Sequence, residues 1–236
     1  MTSIGNEPTL NDASLALPGA RQPAPRGEAL VRDQARALLG QVMGLVAVTV
    51  GFAALGAYLG RNLTGGTGIA LFIGAFACIF GLNVASSRGR EQLAIGLLFG
   101  LGLLLGLAVG PVLADYAKAD PSALWQAAGA TAAFVAVLGS YGYATRRDLS
   151  SWVRGLFWAL LALIAFGIVA IFASIPHSHI IYAVAGLVIF GGFTIVDFNR
   201  LRRASAASAV GIAASIFLDI FNVFLLLLQL FGGGRD

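Results

Sequence analysis

The sequence predicts an all-α integral membrane protein with seven transmembrane helices. Three observations carry that prediction. Of 236 residues, 58% are hydrophobic and only 11% charged, whereas a soluble domain carries about 25% charge. The apolar residues lie in continuous runs, with a mean hydropathy of +0.86 over the chain, so the pattern is neither the amphipathic stripe of a surface helix nor the alternation of a barrel strand. Seven of these runs reach the roughly 20 residues a helix needs to cross about 30 Å of hydrocarbon.

The elements follow in order. Residues 1–37 are polar, and Pro8, Pro18, Pro23 and Pro25 break any helix before Leu30. They read as a disordered tail running into a short helix, and Glu7, Asp12, Glu28 and Asp33 argue against an acid-poor transit peptide. No cleavage is expected. The transmembrane domain then occupies 38–232, with spans at 38–60, 66–86, 93–114, 122–144, 151–173, 180–198 and 207–231, separated by links carrying Arg, Asp, Pro, Asn or Ser.

The 15 basic residues give an orientation. Arg21, Arg26, Arg32 and Arg36 precede the first span; Arg88 and Arg90 follow the second; Arg146, Arg147 and Arg154 surround the fourth link; Arg200, Arg202 and Arg203 follow the sixth. Those fall on one side, leaving Arg61, Lys118 and Arg235 for the other. The bias in short loops predicts a cytoplasmic amino terminus. The pI of about 9.7 therefore reports topology, with no basic face for nucleic acid.

Small-xxx-small spacings mark helix contacts, at Gly96/Gly100 and Gly106/Gly110 in the third span and Gly40/Gly44 and Gly56/Gly60 in the first. Packing within the bundle is the expected use. Cys78 is the single cysteine, so no intrachain disulfide forms and a buried structural thiol is expected. His177 and His179 have metal-like spacing but no nearby Cys or carboxylate to complete about four zinc ligands. No P-loop, nucleophile elbow or zinc-protease motif is present, so no enzymatic activity is expected.

Of 11 acidic residues, two lie within spans: Asp197 near the basic end of the sixth and Asp219 well inside the seventh. A carboxylate at membrane depth costs about 2.5–3.5 kcal/mol on insertion scales, which makes each a candidate functional group facing the bundle interior. Counting from a turn near residue 204 puts them about 12 Å apart along the axis. A seventh helix starting near Ala209 would bring them together, and two carboxyls in contact share one proton and sense pH. Against this, Asp197 could pair with Arg200 or Arg203 at the interface. Ser215 and Asn222 share a polar stripe with Asp219.

Three stretches, YGYATRRDLSSWVRG, GGFTIVDFNRL and ASIFLDIFNVFLLLLQLFGG, together resemble the signature segments of the transmembrane Bax-inhibitor-motif family. The likeness covers about residues 30–232. It implies seven helices with a central carboxyl-terminal helix wrapped by the other six, and a pH-sensitive calcium leak. In that scheme aspartates matching Asp197 and Asp219 hydrogen-bond to each other and close the pore on the cytoplasmic side. An arginine after helix two latches the first of them, with Arg88 the best match and Arg90 the fallback. The two carboxylates, with Asn222, carbonyls and water, would form a weak transient calcium site, and no resident cofactor is expected. The alternative is a membrane interaction protein that modulates a membrane-anchored protease or a cell-death or stress pathway, with the tail as docking element. Composition suits a bacterial inner membrane.

Overall fold

In the computed structural model the described residues are 26–64, 66–173 and 176–232, with side chains described from Asp33 onward. Among them the chain forms seven α-helices: α1 (Arg26–Gly60), α2 (Thr67–Ser87), α3 (Glu91–Ala119), α4 (Pro121–Ala144), α5 (Trp152–Phe172), α6 (Ser178–Leu201) and α7 (Ala209–Gly232). A 3₁₀ turn, Ala206–Ser208, precedes α7. All seven are long and apolar enough to cross a membrane. The short helix expected at the end of the tail is the first part of α1, which starts at Arg26. The expected disorder of 1–25 lies outside the described residues.

Local chemistry sets the boundaries. Gly89 takes φ +68° after α2. There the Gly89 N–H donates to Ser86 O at 3.1 Å and the Arg90 N–H to Ala85 O at 2.9 Å, the paired bonds of a Schellman ending. Pro121 opens α4 at a position whose N–H would have no helical acceptor anyway. Inside α3, Pro111 leaves the Leu107 carbonyl without its helical donor.

The α1–α3 contact is built on glycine, with the expected Gly56/Gly60 and Gly106/Gly110 joined by Gly102. A Cβ on Gly102 would stand 2.6 Å from Thr49 O, and one on Gly110 would stand 2.7 Å from Ala57 O. Gly106 faces the Ala53 carbonyl, and Gly56 and Gly60 face the carbonyls of Leu103 and Leu107. Gly40, Gly44 and Gly96 have open space instead. Lipid tails are as apolar as Leu, so close backbone packing rather than the hydrophobic effect must hold such helices together. Cys78, half-buried and free, faces Gly100 from α2.

Helix α7 packs against α1, α2, α3, α4 and α6, while α5 packs against α6. Helix α5 is the outer one: Leu163 is its one buried residue, and Trp158, Ile171 and Phe172 face outward. It has no polar side to hide, so lipid satisfies it as well as protein does. By contrast α7 buries Ala213, Ile216, Phe217, Asp219 and Val223, which places the intramembrane acid in the core.

Candidate functional site

Both intramembrane acids are buried, Asp197 at 6% and Asp219 at 5% exposure. The site is a ladder between α6 and α7. Thr194 lies opposite Asp219, and Asp197 lies opposite Ser215, so residue numbers on the two helices sum to nearly the same value on each rung. The acids therefore stand about one turn apart, near 5 Å along the axis. This is closer than the 12 Å counted from sequence because the 3₁₀ turn delays α7 to Ala209. They are within electrostatic reach of each other, but no hydrogen bond joins their carboxyls.

The partners of the two acids are unequal. Asp197 accepts from Arg200 Nη1 at 3.4 Å, one turn along its own helix. That is long against the 2.7–2.9 Å of a strong charge-assisted bond, and the Arg200 side chain is 54% exposed. Asp219 Oδ2 is buried with no hydrogen-bond partner. The Thr194 hydroxyl facing it already donates to Phe190 O at 2.8 Å. A buried, unsatisfied carboxyl oxygen is costly, and such atoms concentrate where a group has work other than holding the fold.

Arg88 and Arg90 are exposed at the α2–α3 turn, and neither forms an ion pair with a described residue. The expected latch position on Asp197 is held by Arg200. Asn222 donates to Leu218 O of its own helix at 2.7 Å rather than turning to the acids. Among the described residues no cluster of three or more His, Cys, Asp or Glu could hold a metal ion. Two carboxylates thus supply all the acidic ligands a calcium ion would find here, against the 6–8 oxygens it prefers. His177 caps α6 in the left-handed region at φ +56°.

The matching family model is Inhibitor of apoptosis-promoting Bax1, over residues 35–236. The chain belongs to this family. A Helicobacter pylori (strain ATCC 700392 / 26695) uncharacterized protein is 30% identical over 162 residues, 68% of this chain and 70% of that one. The Golgi anti-apoptotic protein of vaccinia virus (strain Lister) is 32% identical over 163 residues, 69% of this chain and 67% of the viral one. An uncharacterized membrane protein of Vibrio cholerae is 29% identical over 131 residues, 55% of this chain and 59% of its own length. The family match takes in α1 from residue 35 and all of α2 through α7, and with them the whole acid ladder.

Sequence reasoning missed the residue that holds this Bax1-inhibitor bundle together at its Arg-rich end. Asn199 is 1% exposed. Its Nδ2 donates toward Gly142 O (3.2 Å), Thr145 O (2.8 Å) and Arg147 O (3.1 Å). Its Oδ1 accepts from the Leu149 N–H at 3.4 Å and from Arg203. Arg202 adds a bond to Thr145 O at 3.1 Å, and Arg203 an ion pair with Asp148 at 3.1 Å. These groups satisfy the carbonyls that α4 leaves orphaned at its end, with positive charge where the helix dipole favours it. Gly142, set against the Ile195 backbone, and Gly139, set against the Phe198 ring, let α6 come close enough. The only sequence signal was an Asn two residues after Asp197 and four before Arg203.

Asp148, in the exposed loop, lies below the ordinary carboxylate range. The Ser150 backbone N–H, donating at 2.9 Å, and the Ser150 side chain are the main causes, with Arg203 adding to them. The loop is thereby tied to α6 at the same end as Asp197.

Proposed function

We propose that the chain is a pH-sensitive calcium leak in a bacterial inner membrane, with its Arg-rich end and amino terminus cytoplasmic, gated by Asp197 and Asp219. The observation that carries it is the pair of buried carboxyls one turn apart on adjacent helices, one of them with an oxygen that lacks a donor. Two such groups in a low-dielectric interior cannot both ionise cheaply. With one of the acids protonated the repulsion between neighbouring rungs is small; loss of that proton adds repulsion between the two carboxylates and separates α6 from α7. With both acids shut from solvent, the arrangement corresponds to the closed state. Conduction needs an opened, weak site, since an ion must leave as readily as it enters. The exposed Arg200 fills the latch role on Asp197.

The test is calcium flux into dye-loaded liposomes across a pH series. Wild type should leak more as pH rises, and Asp219→Asn should lose most of that dependence. Arg200→Gln removes the counter-charge on Asp197, so the rise in flux should move to higher pH, whereas Arg88→Gln should leave the profile unchanged. Equal flux from wild type and Asp219→Asn at every pH refutes the gate.

A second reading has its own support, the name of the vaccinia relative as a Golgi anti-apoptotic protein. It makes the chain a membrane interaction protein acting on a protease or a cell-death or stress pathway. It expects no flux above protein-free liposomes from any variant.

A further inference from the structure

The bundle has a long apolar slot that the acid ladder does not use. Helix α1 packs on α3 and α7, and α4 packs on α6 and α7, which leaves a cleft of about 740 Å³ between α1 and α4. Its floor is α7, at Phe217, Ile220, Phe221 and Phe224. The lips, Ala54 on one side and Ala132 and Ala136 on the other, are exposed at mid-height of the spans, so the slot opens sideways into the bilayer. From Ala128 to Tyr143 along α4 it runs about 22 Å. That is more than half the thickness of the hydrocarbon.

The lining decides what can enter. Thr131, Ser140 and Tyr143 are its only residues with polar side-chain atoms, and the Thr131 hydroxyl is committed to Ala127 O at 2.7 Å. A cation or a column of water would find almost nothing to replace hydration. A slender acyl chain, which asks for no polar partner, suits such a slot.

Charge at one end selects the headgroup. Arg36 lies one turn before the lining residue Leu39 on the same face of α1, and Arg146 follows the lining residue Tyr143 just past the end of α4. Both arginines are exposed, and neither is ion-paired with a described residue. Asp33 stands a turn further out on α1, and Asp148 is engaged by Arg203. Basic residues at the mouth of a crevice between transmembrane helices suit a lipid phosphate. We propose that the slot holds the acyl chain of an anionic phospholipid from the leaflet at the Arg-rich end, with Arg36 and Arg146 on its phosphate.

Native mass spectrometry of the full chain with equimolar phosphatidylglycerol and phosphatidylcholine tests this. Wild type should retain phosphatidylglycerol about tenfold over phosphatidylcholine. The double variant Arg36→Gln, Arg146→Gln should bring the ratio to within twofold of parity. Ala136→Trp, filling the slot from its exposed lip, should cut retention of both lipids at least fivefold. Equal retention by wild type, an unchanged preference in the double variant, undiminished binding in Ala136→Trp, or a lipid-free dimer that Ala136→Trp dissociates would each overturn it.

Discussion

Replacing Asn199 by Ala tests whether one buried amide holds the α4–α5 loop against α6. Its two N–H protons are shared among three carbonyls, and its oxygen accepts from Leu149 and Arg203. Three neutral bonds at about 1 kcal/mol net and one to a charged donor at about 2 sum to roughly 5 kcal/mol. The carbonyls of Thr145 and Arg147 can be rehydrated. The Arg203 side chain is 38% exposed, so its share is screened. A loss of about 2–4 kcal/mol remains. At 1.4 kcal/mol per decade, that accelerates local opening about 30- to 700-fold. Hydrogen exchange in lipid nanodiscs reads it directly, because the Leu149 N–H is itself one of the bonds. Asn222→Ala is the control: its amide makes a single bond within its own helix and should cost below about 1.5 kcal/mol, leaving the loop unchanged. Exchange over 145–151 within threefold of wild type in Asn199→Ala, or equal loosening by Asn222→Ala, would refute the reasoning.

Two further outcomes follow from the same geometry. Gly110→Ala sets a Cβ 2.7 Å from Ala57 O and should cost about 1–3 kcal/mol in thermal unfolding. Gly96→Ala, with open space around it, should cost nothing measurable. The Asp148 carboxyl sits below its unfolded value, so what it contributes is present above the ordinary aspartate range and disappears as pH falls through its folded value. In a chain whose other tryptophans are Phe, Trp152 emission should therefore change below about pH 4. Asp148→Asn should show the acid-state emission at every pH.

What was legible in the sequence was whatever needed no partner. A run of twenty apolar residues is a membrane span whichever helix it meets, and an acid within such a run is anomalous by itself, so the seven helices and Asp197 and Asp219 stood out. Ends of spans were less legible. Helix α3 continues through the polar ADYAKA to Ala119, beyond the expected 114, because Ala and Lys are good helix formers in water as well. Registers between helices were legible only in part: Gly56/Gly60 and Gly106/Gly110 do line the α1–α3 contact, whereas Gly40/Gly44 and Gly96 do not. Both Gly100 and Gly102 look able to line a contact, and only the approach of Thr49 selects Gly102. Asn199 was lost for the same reason: its acceptors lie more than fifty residues back in the chain, and an Asn near a helix end is unremarkable without them.

The counter-charge on Asp197 bears on how a gate here can move. A latch on Arg88 would tie α2 to α6, and releasing the acid would require those helices to part. Arg200 is three residues along α6 itself, and its bond to Asp197 is long and solvent-facing. Its release takes only a rotamer change of an exposed side chain and moves no backbone. What keeps α6 in place is then the Asn199–Arg202–Arg203 anchor to the end of α4, below the ladder, together with the rungs to α7. Repulsion between the acids acts across α6 and α7 alone. Because α6 is fixed at its base, separation at the level of Asp219 must come from tilting about that anchor or from displacement of α7. Helix α7 also forms the floor of the slot between α1 and α4, so the same displacement would alter the slot's width. Under the proposed gate, the occupant of the slot and the charge on the acid pair are therefore coupled through one helix.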